Sequence, residues 1–238
     1  MVRTKTTTLA LALFVAPLLT LFVSACGGGG GEQTLIRNYF TASRVGDRAT
    51  LGNIAMVGWN TREDGSVSSP SVESVTEEQS RPLRLKELNQ ALLDASASDE
   101  EFSARKLEYQ TENFDAINRV LEAERDSNDV AQRDAEVQEA WTTWRNETME
   151  HSKMSSDADA ELRAEQNAAG LSVFDPNNPL DLTQFDGQLL TKDAQVTATV
   201  ELDGVESERT MTVTFQKAVL TGADGTEIEG RWVIANIN

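Results

Sequence analysis

Asp129-Val-Ala-Gln-Arg-Asp-Ala-Glu-Val-Gln-Glu-Ala-Trp-Thr-Thr-Trp-Arg-Asn-Glu-Thr-Met-Glu-His151 is the stretch whose reading decides the fold. Val130, Val137, Trp141, Trp144, Thr148 and His151 follow one another in steps of seven, four and three, and the row continues at Ala158 and Leu162. Such steps keep one face of a helix turned toward a second helix. From Arg84 to Ala169 the chain has no Pro and no Gly, and Glu, Ala, Arg, Gln and Leu dominate, which is helix-forming composition. The preceding half carries Leu85, Leu88, Leu92, Phe102, Leu107, Phe114, Ile117 and Leu121. Its register shifts between Leu92 and Leu107, where Ser98 and Glu101 have the spacing of a capping box that restarts a helix. Asp126-Ser-Asn-Asp129 supplies the turn. Acids precede bases by four residues at Glu101/Arg105, Asp115/Arg119, Asp129/Arg133 and Asp159/Arg163, the favourable order on a helix surface. These features predict an antiparallel helical hairpin over residues 81–170. Each arm has about 40 residues and reaches up to about 60 Å. One very long helix is the competing reading.

Outward from the hairpin the periodicity changes. Thr34 to Ser43 reads as a short amphipathic helix through Leu35, Ile36, Tyr39 and Phe40, closed by Gly46-Asp47, with a second short helical turn or a strand start over 49–57. Residues 60–80 read as loop, with one short strand allowed by Val67, Val72 and Val75. Gly170 ends the helical region, and Asp175-Pro-Asn-Asn-Pro-Leu-Asp181 is loop. The repeat then becomes two. A strand near 185–190 precedes Val196, Ala198, Val200 and Leu202; Asp203-Gly204 turns the chain; Met211, Val213 and Phe215 alternate with threonines; Asp224-Gly225 turns it again before Gly230–Ile237. The expected fold class is α+β: a short N-terminal helix against an antiparallel β-meander, with the long hairpin inserted. Residues 34–80 and 171–238 form the α+β domain, and the 35–40 helix covers the apolar face of the meander.

Ile36-Arg-Asn-Tyr-Phe-Thr-Ala-Ser-Arg-Val-Gly-Asp47 resembles the opening helix of nuclear-transport-factor-2-like (cystatin-like) domains. Gly230-Arg-Trp-Val-Ile-Ala-Asn-Ile237 is similar to their last strand. The resemblance covers 34–60 and 184–238 and implies a curved antiparallel sheet cupped around a helix. Residues 80–170 depart from it. Some relatives are enzymes with an Asp or His in the cup; no such residue is placed here, where the strands offer Thr, Val and Ala. Tyr39, Trp59 and Trp232 are the candidate cup lining.

The chain opens with Arg3 and Lys5, then an apolar run from about Leu9 to Val23, then Val23-Ser-Ala-Cys26 and five glycines, Gly27 to Gly31. This order resembles a bacterial lipoprotein signal peptide. The apolar run is roughly 15 residues, short of the ~20 that span a bilayer. The resemblance implies that residues 1–25 are a signal peptide cut before Cys26, that Cys26 carries lipid, and that 26–33 is a Gly-rich tether. Gly27, where an Asp would favour the inner membrane, implies the outer membrane, with the domain facing the periplasm or the cell surface. Two or more acyl chains hold a protein stably at ~0.8 kcal/mol per buried methylene.

The formal net charge is −18 and no Lys/Arg cluster is present, which argues against a nucleic-acid partner. Cys26 is the single cysteine, so lipidation leaves no thiol for a disulfide, a zinc site or a nucleophile. His151 is the single histidine and falls on the helical seam. Asp157, Asp159 and Glu161 alternate as in a calcium loop but lie in helix-forming sequence. Asp175, Asn177 and Asp181 offer loop oxygens. No catalytic, cofactor or metal residue is assigned. Trp141 and Trp144, three apart, are candidate partner contacts. The expectation is a non-catalytic, lipid-anchored envelope protein that contacts another envelope protein, the alternative being small-molecule or lipid binding in the sheet cup.

Overall fold

The computed structural model describes residues 30–238. Cys26, the preceding 25 residues and most of the glycine tether lie outside that range. The fold is α+β, with a helical hairpin between the strands of one antiparallel sheet.

Helix α1 (Gly31–Val45) buries Ile36, Tyr39 and Phe40, the i, i+3, i+4 stripe expected of a helix lying on a sheet. Gly46 closes it in the left-handed conformation. Asp47 then caps α2 (Arg48–Ile54), accepting from the Thr50 N–H at 3.1 Å and its hydroxyl at 2.6 Å. Strand β1 (Ser66–Val75) shifts register across Pro70, between Ser68 and Ser71, and again between Val72 and Ser74, as befits an edge strand that cannot donate at the proline. Strand β2 (Gln79–Leu83) was expected to be loop and hairpin. It pairs with residues 187–191, and its Pro82 also sits on an edge.

The spine of the sheet is a ribbon of β3 (Asp186–Leu202) and β4 (Val205–Thr221), paired without a break from Asp186↔Thr221 to Leu202↔Val205. Asp203 and Gly204, both at positive φ, make the tight turn whose twist suits a hairpin. The two strands expected at 185–190 and 196–202 are one strand. Short strands β5 (Glu227–Glu229) and β6 (Val233–Ile237) both pair with β4.

The ribbon buries a different face at each end. Toward the Asp203 turn, Ala194, Val196, Ala198 and Val200 of β3 and Met211, Val213 and Phe215 of β4 pack with Ile36, Tyr39, Phe40 and Ile234. That is the cover expected of α1. At the other end the buried positions shift by one residue, to Leu189, Ala218 and Leu220, which lie on the opposite face. There they meet Leu83, Leu85 and Ala169, residues that flank the hairpin.

The hairpin runs through α3 (Leu85–Glu112), α4 (Phe114–Arg125), a 3-10 turn (Gln132–Asp134) and α5 (Ala135–Val173). The turn falls at 126–129 as expected. Three details differ from the sequence reading. Helix α3 passes through Ser98 unbroken, because buried Ala95 and Phe102 both hold it in register. The break comes instead at Asn113, whose side-chain amide and backbone N–H both donate to Tyr109 O at 3.0 Å. Gly170 does not end α5, which continues to Val173 and packs beside Leu182. Arg119 turns from Asp115 to the buried Asp134 at the start of α5, at 2.6 and 3.0 Å. Of the four expected pairs, Asp159–Arg163 forms.

The base of the hairpin is locked to the sheet. Glu165 accepts both Arg81 guanidinium nitrogens, at 2.7 and 2.8 Å, and the Arg84 N–H at 2.9 Å. Gln216 Nε2 of β4 donates to Ala168 O at 2.7 Å. Ser172 Oγ accepts from the Ala218 N–H and donates to Arg231 O, so the last turn of α5 fills the gap along β4 between β5 and β6. The Arg81 hydrogen bonds hold the Glu165 carboxyl below the usual carboxylate range, against the opposing effect of burial. A depressed folded-state pKa contributes stability above the unfolded value near 4.3, and that contribution is lost as pH falls through the folded value. Glu165→Gln is therefore expected to cost ~1.5–3 kcal/mol at pH 7, the range for hydrogen bonds to a charged group. The gap to wild type should narrow below about pH 4. Urea midpoints at both pH values check this, and a gap that stays constant with pH would exclude the latch.

Candidate functional site

Two places combine exposed chemistry with a defined frame: the hairpin, and a concavity beside α1.

In the hairpin, Phe102 of α3 is the hub. Its ring stacks on His151 at a centroid distance of 4.3 Å and 18°, and lies 5.5 Å from Trp144. Trp144 also meets Tyr109 at 5.7 Å. Lys106 lies 5.6 Å from the Trp141 ring and donates to Thr148 Oγ1 at 2.7 Å. Trp141 is buried and Trp144 half-buried, so both candidate contact residues pack largely against α3. His151 lies on the seam as read from the sequence. Its Nδ1 is buried without a hydrogen-bond partner among the described residues. Leu107, Phe114 and Leu121, apolar positions of the first half, are exposed. The inward row is instead Leu88, Ala95, Phe102 and Tyr109, also spaced by sevens.

Of the three expected cup residues, Tyr39 is fully buried and donates to Val57 O at 3.1 Å. Burial pushes its hydroxyl up to about 12, so it is a neutral donor at physiological pH. Trp59 packs edge-on to Phe40 at 5.4 Å and donates to Gly65 O at 2.7 Å. Trp232 alone borders an opening: a concavity of about 430 Å³ shared with Glu32, Leu35, Asn38 and Phe215. Lys192 Nζ sits 4.0 Å from the Trp232 ring centroid and Lys217 Nζ 5.0 Å from it. Lys192 pairs with Glu32 at 2.6 Å and Glu78 at 3.4 Å, and Lys217 with Glu229 at 2.7 Å. Burial works against the Glu32 charge, but the Lys192 hydrogen bond, a backbone hydrogen bond and the Lys192 charge together hold the carboxyl below its ordinary range. The cations are matched by carboxylates, and both ammonium groups lie close to the indole. These lysines come from β3 and β4, and no local sequence signal joins them to Trp232.

The loop and helix carboxylates considered for calcium are engaged locally. Asp157 pairs with Lys153, Asp175 accepts from the Asn177 N–H, and Asp181 caps Thr183. Among the described residues no group of three or more His, Cys, Asp or Glu is placed to hold a metal ion. No described helix is long and apolar enough to cross a membrane. No family model matches the chain, and comparison with curated proteins and with solved structures gives no match.

Proposed function

We propose that this is a non-catalytic, lipid-anchored envelope protein that works by contacting another envelope protein through its helical hairpin. The observation that carries this reading is the division of the hairpin into a base held by the sheet and a long remainder that, among the described residues, packs chiefly within the hairpin. The base residues Leu85, Glu165, Ala169 and Ser172 touch the strands. Helix α4 packs on α3, α5 and the 3-10 turn. A helical arm that stabilises no strand is well suited to reaching a partner. The Val-Ser-Ala-Cys26 boundary supports the lipid anchor, and Gly27 in place of Asp supports the outer-membrane placement. The arrangement of α1 on a curled sheet supports the resemblance to cystatin-like domains.

Cys26→Ser is expected to abolish fatty-acid labelling and leave uncut precursor; labelling that survives would remove the anchor from the proposal. In intact cells, replacing 92–158 with a short Gly-Ser bridge spares the base and should remove the crosslinked neighbours of the protein. The second reading, small-molecule or lipid binding, is favoured by the apolar lining of Leu35, Phe215 and Trp232. A shortened protein that keeps the same neighbours would transfer the function to that concavity.

A further inference from the structure

We infer that the outer face of α3 and α4 is a docking surface for a basic amphipathic helix of the partner. This rests on the reading of the hairpin as the contacting part, and it names the chemistry of what is contacted.

Leu93, Leu107, Phe114 and Leu121 fall on one heptad row, completed by Glu100, and are 54%, 64%, 65% and 40% exposed. The row of seven-residue steps that packs the hairpin, Leu88-Ala95-Phe102-Tyr109, is a different one, so the exposed row has no role in the internal seam. Between its large side chains lie Ala97, Ala104, Thr111 and Asn118, all exposed. Large residues alternating with smaller ones at steps of four and three present knobs and holes to a second helix.

Beside this row, one residue further on, runs a second one: Asp94, Glu101, Glu108, Asp115 and Glu122. Every member is acidic and exposed. None of the five takes part in an ion pair among the described residues, whereas Glu124, Asp134, Asp157, Asp159 and Glu165 all do. Charges flanking an apolar seam select the partner. This rail favours Lys and Arg. It opposes a second copy of the chain, which in antiparallel pairing would bring the same five carboxylates against it and carries −18 overall. It also opposes an anionic lipid surface. The occupant that fits both rows is a helix with an apolar heptad stripe flanked by bases.

The test uses the detergent-solubilised full chain and two synthetic helical peptides with the same leucine heptad stripe, one flanked by Lys and one by Glu. The Lys peptide should bind, weaken with added salt, and outbind the Glu peptide by at least ~10-fold, as expected for exposed charges screened over about 10 Å at 0.1 M salt. The surface variant Glu101→Gln/Glu108→Gln/Asp115→Asn should remove that preference, and Leu107→Ser/Phe114→Ser should remove binding of both peptides. Equal binding of the two peptides, or binding untouched by Leu107→Ser/Phe114→Ser, would overturn the assignment. In cells the same variants separate the two levels of the proposal. If the 92–158 replacement loses the neighbours while Leu107→Ser/Phe114→Ser keeps them, the hairpin is the contact and this face is not. If both keep them, the hairpin reading itself fails.

Discussion

Phe102→Ala is expected to lower the stability of the protein by ~3–5 kcal/mol, the cost of truncating a buried aromatic whose cavity cannot collapse. Phe102 is 1% exposed and holds the arms together through His151 and Trp144. The change should appear as an early loss of helical signal on heating and as a lower urea midpoint. Leu93→Ala, in the same helix but on the outer row, should shift stability by no more than ~0.5 kcal/mol. Equal effects at the two positions would mean that the arms do not pair through the row of Phe102.

Gly230→Ala should also be damaging, at ~2–6 kcal/mol, for a reason local to the sheet edge. A Cβ at residue 230 would stand 2.2 Å from Ser172 Oγ and 2.9 Å from the carbonyl oxygens of Ala218 and Ser172. Overpacking costs ~1–3 kcal/mol, and separating the buried Ala218 N–H from Ser172 Oγ adds ~1–3 kcal/mol more. Because two of the three atoms are backbone, Ser172→Ala should not rescue the variant. Urea unfolding measures the loss; a cost below ~1 kcal/mol would show that the end of α5 yields to the added methyl rather than being fixed in the sheet.

The α+β class, the α1 cover, the hairpin turn at 126–129 and the Asp203-Gly204 turn were legible in the sequence because each has a local cause. The long β3 strand was not. Its buried positions are even-numbered from Ala194 to Val200 but odd at Leu189, since the strand passes from one core to a second on the opposite face. A search for one unbroken alternation divides such a strand in two. Strand β2 carries Pro82 and buries only Leu83, so it has no alternation to find. In α3 two heptad rows coexist, one outward with the bulky Leu93 and Leu107 and continued by Phe114 of α4, the other inward and including the small Ala95. Which row faces inward is decided by α5, not by α3 alone. The surroundings of Trp232 were illegible for a similar reason: Lys192, Lys217 and Glu32 are distant in sequence and are brought together by strand pairing.

Mechanically, the seat of α5 makes the hairpin a cantilever. The helix has 39 residues and rises about 58 Å. Its fixed end runs from Glu165 to Ser172, about two turns and roughly 11 Å deep, held by Arg81, Gln216, Ala218 and Arg231. The other arm is interrupted at Asn113, between α3 and α4. A sideways load on the far end therefore reaches the seat multiplied by the ratio of free arm to held depth, roughly fourfold. It falls on the one stretch of β4 where a serine, rather than a strand, completes the pairing. Tension at the tip would be felt first as a loosening of the edge between β5 and β6, about 60 Å from where it is applied.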